Sequence, residues 1–394
     1  MITDGFTYIA VLLFITGILV MLPKIFTGKF AKTFFNFAAP IVLMYLGFMI
    51  LCTLKVWDLE ATAPTYSALK NPILYAMLFI MLLRCDLKKI IKLGPKMLIG
   101  FFAATLSIGL GFIVSYAIFG RFLGEGANAA LGALCGSWMG GTGNMLAIQE
   151  ALHVSENDMV FALVMDSVCA SFYIMFLLWA VTKAPQFNKW TKANTKAIDE
   201  VGAALEEAAK ADTRKLVWQN IAILLGAGLL VSAIAQKVGA LIASRLPFFD
   251  KATWTVLFVT VLGVLLALTP FGKIRGTEEV SNTMLYVVVA LIASRADLSG
   301  VATAPIWLLA GFVILVIHVV IMIVLAKLIK LDVFTCAVAS LANVGGTASA
   351  PVLAASYSDA LVPVGIVMAL LGYVVGTGGG LVVAKVMGLI AGMF

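Results

Sequence analysis

The chain has 394 residues, of which 62% are hydrophobic and 12% charged. Such a composition excludes an ordinary soluble domain and an intrinsically disordered chain. Lys and Arg exceed Asp and Glu by 27 to 20, the excess that membrane proteins carry on cytoplasmic loops; no basic face on a soluble module is visible, so nucleic acid is not an expected partner.

Twelve apolar segments follow one another at roughly 5–23, 33–54, 71–83, 97–119, 126–149, 159–182, 216–236, 252–272, 280–294, 303–326, 333–358 and 360–384. Most reach the roughly 20 residues that a membrane helix needs. The segments at 71–83 and 280–294 are short; they read as core helices, or as helices that begin earlier in the polar residues before them. The first run lacks a basic n-region and a cleavage site, so no cleavable signal peptide is expected. Residues 183–215 are hydrophilic, and their Ala-Glu-Lys content around 195–212 predicts an exposed amphipathic helix. The expected organisation is a first transmembrane repeat (1–182), a cytoplasmic linker (183–215) and a second transmembrane repeat (216–394). The five cysteines, Cys52, Cys85, Cys135, Cys169 and Cys336, form no CxxC pair and read as small buried hydrophobes, not metal ligands.

The sharpest local signal is Gly140-Gly141-Thr142-Gly143-Asn144, in a run without charge from 126 to 149. Glycines and small polar residues there break a helix, which lipid tolerates only where the backbone lines a cavity or is buried in protein. A near copy, Gly345-Gly346-Thr347-Ala348, lies 205 positions later. Matching breaks in two halves point to a transporter site; the plainer reading is glycines that let helices pack closely. A second match supports duplication. Asn71 to Tyr75 leads to Arg84 and Asp86, and Asn282 to Tyr286 leads to Arg295 and Asp297, with the same internal spacing.

Loop 24–32 carries Lys24, Lys29 and Lys32, and loop 84–96 carries Arg84, Lys88, Lys89, Lys92 and Lys96. Both should be cytoplasmic, as should the basic linker. Six spanning segments in the first half would put the linker outside. If segment five is instead a re-entrant hairpin, five segments span and the linker falls inside. The second half is then inverted, and the two tips meet near the midplane. The rival is a pair of broken helices that cross.

The run from Gly140 to Glu150, followed by Val164-Met165-Asp166-Ser167, resembles the YjcL-like family of uncharacterised bacterial membrane proteins, grouped with the cation:proton antiporter and anion transporter superfamily. The tips also resemble the glutamate:sodium symporters. The resemblance implies a core domain that carries the site, a scaffold domain that dimerises, and elevator-type movement. It names no substrate. The second tip departs from the motif at Ala348, where the last glycine is missing.

Asp166 has no other acid or base in its segment, 159–182. A charge at a helix centre costs about 2.5–3.5 kcal/mol on insertion scales, so such a residue faces a cavity or a partner and commonly handles an ion; local pairing near the outer surface is the alternative. Asp166, Ser167 and Asn343 form the expected ion-coupling group. Gly140, Gly141, Thr142, Gly143, Asn144, Gly345, Gly346, Thr347 and Ser349 form the expected substrate-binding set, with freed backbone and helix N-termini facing an anion; the alternative is that each polar side chain serves its own broken backbone. Gln149 and Glu150 border an outer vestibule or end a solvated loop. Arg84, Asp86, Arg295 and Asp297 read as paired anchors, and His318 as a satisfied helix residue. Pro351 fits a helix restart. No zinc motif or P-loop is present, so no enzyme and no cofactor is expected.

The fold expected is all-α and polytopic, with two inverted repeats. The function expected is secondary active transport of a small organic anion, such as an amino acid, a dicarboxylate or a short peptide, coupled to sodium or protons. A homodimer in the cell inner membrane, bathed by lipid, completes the expectation. A cation:proton antiporter is the alternative, although only one deeply placed acid is found where such proteins usually have a pair.

Overall fold

Short polar residues at the ends of the apolar runs start the helices. Asp4, Asp58, Ser155, Asp250 and Asp332 each accept backbone N–H bonds from the first turn that follows, which satisfies donors that a helix leaves open. In the computed structural model the described residues are all except 29–30, 32–33, 36–39, 86–89, 92, 196–214, 247–249, 297–303, 358–360 and 394. Lys29, Lys32, Asp86, Lys88, Lys89, Lys92, Asp297 and the expected linker helix therefore lie outside the described residues.

The first half comprises α1 (Gly5–Ile25), α2 (Pro40–Thr53), α3 (Leu59–Leu82), α4 (Gly94–Leu123), α5 (Ala127–Gly140), α6 (Thr142–Ala151) and α7 (Glu156–Val181). A short helix, α8 (Ala184–Thr191), opens the linker. The second half comprises α9 (Trp218–Arg245), α10 (Lys251–Ala267), α11 (Thr277–Ala293), α12 (Ala304–Ile329), α13 (Val333–Val344), α14 (Gly346–Tyr357) and α15 (Val362–Ala391). Among the described residues α1, α4, α7, α9, α12 and α15 are long and apolar enough to cross a membrane. The short segments at 71–83 and 280–294 resolve as expected: α3 starts at Leu59 and α11 at Thr277, in the preceding polar residues.

The helices sort into two groups. The first three of each half pack together: α3 lies against α9, α10 and α11, and α2 against α11. Their ends are tied reciprocally. Arg84, just past α3, bridges Glu278 in the first turn of α11 at 3.1 Å. Arg295, just past α11, donates to Leu59 O at the start of α3 and lies 4.8 Å over the Tyr66 ring. Both arginines are anchors, as their spacing predicted, and α3 and α11 run antiparallel. The second group contains α4 to α7 and α12 to α15. Here α4 and α12 are antiparallel and joined by Ser107···His318 (2.6 Å) and Ser115 Oγ to Ala310 O (2.9 Å). His318 is fully buried, and its other ring nitrogen meets Ser340 Oγ at 2.9 Å, so it is a satisfied core residue.

Glycines bring α5 and α15 into backbone contact. Gly132, Gly136 and Gly140 recur every fourth residue on α5, and Gly372, Gly376 and Gly380 do so on α15. An ideal Cβ on Gly376 would lie 2.9 Å from Gly140 Cα, and one on Gly380 2.9 Å from Gly136 Cα. This is the close approach that small residues at every fourth position permit.

The two groups meet along a polar seam. Lys70 of α3 bridges Glu150 of α6 at 2.9 Å, and Asn71 Nδ2 donates to the same carboxylate at 2.8 Å. His153 meets Asp250 at 2.6 Å, and Thr253 Oγ1 donates to Ala151 O at 3.0 Å. Glu150 is 9% exposed and Gln149 1%, so the expectation of a solvated loop end is corrected: the end of α6 is clamped against the first group.

Candidate functional site

Both glycine breaks double the chain back. In the first, an ideal Cβ on Gly136 would strike Ile148, and one on Gly126, before α5, would lie 3.1 Å from Asp158 at the start of α7. In the second, the rings of Phe334 and Tyr357, at the start of α13 and the end of α14, are 5.0 Å apart. Each break is therefore the tip of a helical hairpin, not a bend in one crossing helix. The turns rest on glycines with positive φ, +87° at Gly141 and +57° at Gly346, a conformation that costs any other residue roughly 1–2 kcal/mol.

The two tips touch. A Cβ on Gly346 would stand 3.8 Å from Gly141 Cα. Beside them lies a cavity of about 450 Å³. The hairpin tips supply Gly141, Thr142 and Gly143 on one side and Gly345, Gly346, Thr347 and Ser349 on the other. Helix α7 supplies Asp166 and Ser167, and the first group closes the cavity with Met81, Glu278, Ser281, Asn282 and Tyr286.

Asp166 is held by one indole: Trp138 Nε1 donates to its Oδ1 at 2.7 Å. Among the described residues no Lys or Arg bridges Asp166, whereas the other acid of the cavity, Glu278, is bridged by Arg84. Thr347 Oγ1 and Tyr373 OH are 2.9 Å apart. The broken helix restarts at Gly346, and Pro351 sits inside α14, five residues after that restart. Because proline has no N–H, it leaves the Thr347 carbonyl, four residues earlier, without its helical donor.

Three expected residues lie elsewhere. Gly140 faces Gly372 in the α5–α15 contact, where a Cβ would come 2.3 Å from Gly372 O. Asn144 is buried, donating to Gly140 O at 2.8 Å and accepting from Thr377 Oγ1 at 2.7 Å. Asn343 donates to Ala339 O at 2.9 Å and accepts from Thr105 Oγ1 at 2.8 Å. These amides brace the hairpins from behind. Sequence reasoning missed Ser137, which lines the cavity, Trp138, which donates to Asp166, and Tyr373, which pairs with Thr347. Their signal was faint: polar atoms in uncharged runs, beside glycines that pack or turn.

Residues 5–389 match the family described as "Protein of unknown function (DUF819)". The chain belongs to this family. A relative, the uncharacterised membrane protein YjcL of Bacillus subtilis (strain 168), is 23% identical over 359 residues, which cover 85% of this chain and 86% of YjcL. The resemblance read from the Gly140–Glu150 run is thus borne out. This DUF819 chain is an all-helical, multi-pass membrane protein.

Proposed function

We propose that the protein is a secondary active transporter of a small organic anion, coupled to sodium or protons by alternating access. The observation that carries this reading is the contact of the Gly141 and Gly346 tips on the wall of a cavity between two helix groups. Helices α6 and α14 both begin there. Their N-terminal partial charges favour an anion. Asp166, without a basic partner among the described residues, takes the coupling proton or sodium, with Ser167 beside it.

The reciprocal ties of Arg84 and Arg295 support inverted repeats, α1–α7 and α9–α15. In this reading the hairpins are re-entrant, α1–α3 and α9–α11 form a scaffold that dimerises, and the rest is a core that moves as an elevator. Gly276 packs on Leu216, so the end of the linker shares a face with Glu278 and Arg84. The basic loops make that face cytoplasmic. The cavity wall draws on Pro40, Met81 and Glu278 from this end of the scaffold, whereas the Lys70–Glu150 seam lies toward the other. In this reading the cavity opens toward the cytoplasmic face.

The unbridged carboxylate of Asp166 also favours a second reading, a cation:proton antiporter. A thermal-shift screen of purified protein against organic anions, crossed with sodium, potassium and low pH, separates the two, because a ligand bound by the native state raises the melting temperature. Anion-linked stabilisation that depends on sodium or pH supports the first reading. Stabilisation by cations with none by any anion replaces it with the second.

A further inference from the structure

We infer that the protein holds an anionic phospholipid in a separate groove, at the linker end of the second helix group. The inference shares the topology of the transporter reading and does not depend on the solute. Helices α7, α12 and α13 enclose a groove of about 240 Å³ there. Phe176, Trp179, Val319, Met322 and Ala337 make its walls apolar, and Phe187 of α8 adds to the lining. Ser340 also lines it, but its Oγ is occupied by His318 at 2.9 Å. Helices α7 and α12 are long and apolar enough to span, and Phe176 and Ile323 on them remain 39% and 41% exposed. The groove therefore opens to the hydrocarbon of the bilayer. Water does not fill an apolar space of this kind, and an empty one forfeits dispersion contacts along its walls. An acyl chain is the matching occupant. The groove is larger than the roughly 150 Å³ that admits a benzene ring in an engineered apolar cavity, so it has room for a segment of chain.

The charge at its mouth selects the headgroup. Residues 182–195 and 327–340 carry Lys183, Lys189, Lys192, Lys327 and Lys330 against one acid, Asp332. That acid is buried and spent on the start of α13, where it accepts from Thr335 N at 2.7 Å and Thr335 Oγ1 at 2.6 Å. Helix α8 draws the two stretches together. Asn188 Oδ1 accepts from Val333 N at 2.8 Å, and Lys327 Nζ lies 4.7 Å over the Trp190 ring. Lys183 is part of the groove lining itself, with its Nζ 6.0 Å from the ring centre of Trp179. Lysines beside half-exposed tryptophans mark the level of the lipid headgroups, and each such lysine near the surface attracts an anionic lipid. The chain of the lipid fits between α7, α12 and α13, with its phosphate at Lys183.

The test is native mass spectrometry of the full-length protein in detergent. The probes are phosphatidylglycerol and phosphatidylcholine with the same acyl chains, and glycerol 3-phosphate as a phosphate without chains. The expected result is one retained phosphatidylglycerol per chain, phosphatidylcholine weaker by about tenfold or more, and no binding of glycerol 3-phosphate. Lys183→Gln should weaken phosphatidylglycerol about fivefold, the share of one surface lysine, and leave phosphatidylcholine unchanged. Ala180→Trp, which fills the groove from its lining, should remove the retained lipid. A phosphatidylglycerol with a photoreactive acyl chain should label α7, α12 or α13 of the unaltered protein, a readout that does not rely on how either variant folds. Equal affinity for the two lipids, or binding of glycerol 3-phosphate, would overturn the inference. So would labelling confined to other helices, or full lipid retention by a folded Ala180→Trp protein. Lipid retention by Ala180→Trp together with loss of a dimer would assign the groove to a second copy of the chain instead.

Discussion

The glycines at the two breaks divide into two kinds, and alanine substitution should separate them. At Gly346 an added Cβ meets only Gly141 Cα, at 3.8 Å, so Gly346→Ala bears only the positive-φ strain, roughly 1–2 kcal/mol. At Gly140 an added Cβ would lie 1.9 Å from Asn144 Nδ2 and 2.3 Å from Gly372 O. Neither atom can yield without moving α15 or breaking the Asn144–Gly140 bond. Overpacking of that kind costs about 1–3 kcal/mol, and the lost hydrogen bond about 0.5–1.5 kcal/mol more. The expected total of about 2–4 kcal/mol is a large share of the 5–15 kcal/mol that typically holds a fold. Membrane abundance and melting temperature, measured by fluorescence-detected size exclusion, should rank wild type first, then Gly346→Ala, then Gly140→Ala. A Gly140→Ala protein as abundant and heat-resistant as Gly346→Ala would refute the backbone contact between α5 and α15.

Four further outcomes follow from the site and its supports. Gly141→Val and Gly346→Val should each abolish uptake of the solute found in the screen while the protein still reaches the membrane; normal uptake by the Gly346 variant would make the second tip mere packing. Asp166→Asn and Asp166→Ala should keep the fold and lose the dependence of binding on sodium or pH, and unchanged dependence would make Asp166 structural. Cysteines introduced at Ser155 and Thr195, at opposite ends of the segment that contains α7, should react with impermeant reagents from opposite faces, and labelling from one face would sink the topology. Glu150→Gln leaves Lys70 partly buried without its counter-charge, a loss of up to about 3–5 kcal/mol in this state; a cysteine at Thr142 should then become more reactive from outside, and unaltered reactivity would show that the seam does not hold the outer side shut.

Much of this arrangement was legible in the chain because it depends on local chemistry. The glycine breaks mark turns that only glycine adopts without strain, and Asp166 stands out because a lone acid in an apolar helix needs a reason. The Arg84 and Arg295 anchors showed in their equal spacing from the two Asn-to-Tyr runs. What stayed hidden depends on partners distant in sequence. Nothing near Asn144 or Asn343 says that Thr377 and Thr105 will occupy their amides. Gly140 looked like part of the tip because its partner, Gly372, lies 232 residues away. From sequence Glu150 stands between a vestibule rim and a solvated loop end, because Lys70 comes to it only through tertiary packing.

The composition of the seam sets how its separation responds to temperature. Exposing apolar surface raises heat capacity, by about 0.45 cal/K/mol per Å², and exposing polar surface lowers it, by about 0.26. Lys70, Asn71, Glu150, His153, Asp250 and Thr253 place polar atoms along the line where the two helix groups part. Methionines of α3, which touch Gly143 beside them, supply the opposing apolar share. Each buried polar group of the seam, Lys70 and Glu150 above all, therefore offsets part of the heat-capacity rise that the apolar share brings. The equilibrium between closed and open seam should therefore curve less with temperature than one across a wholly apolar interface of the same area.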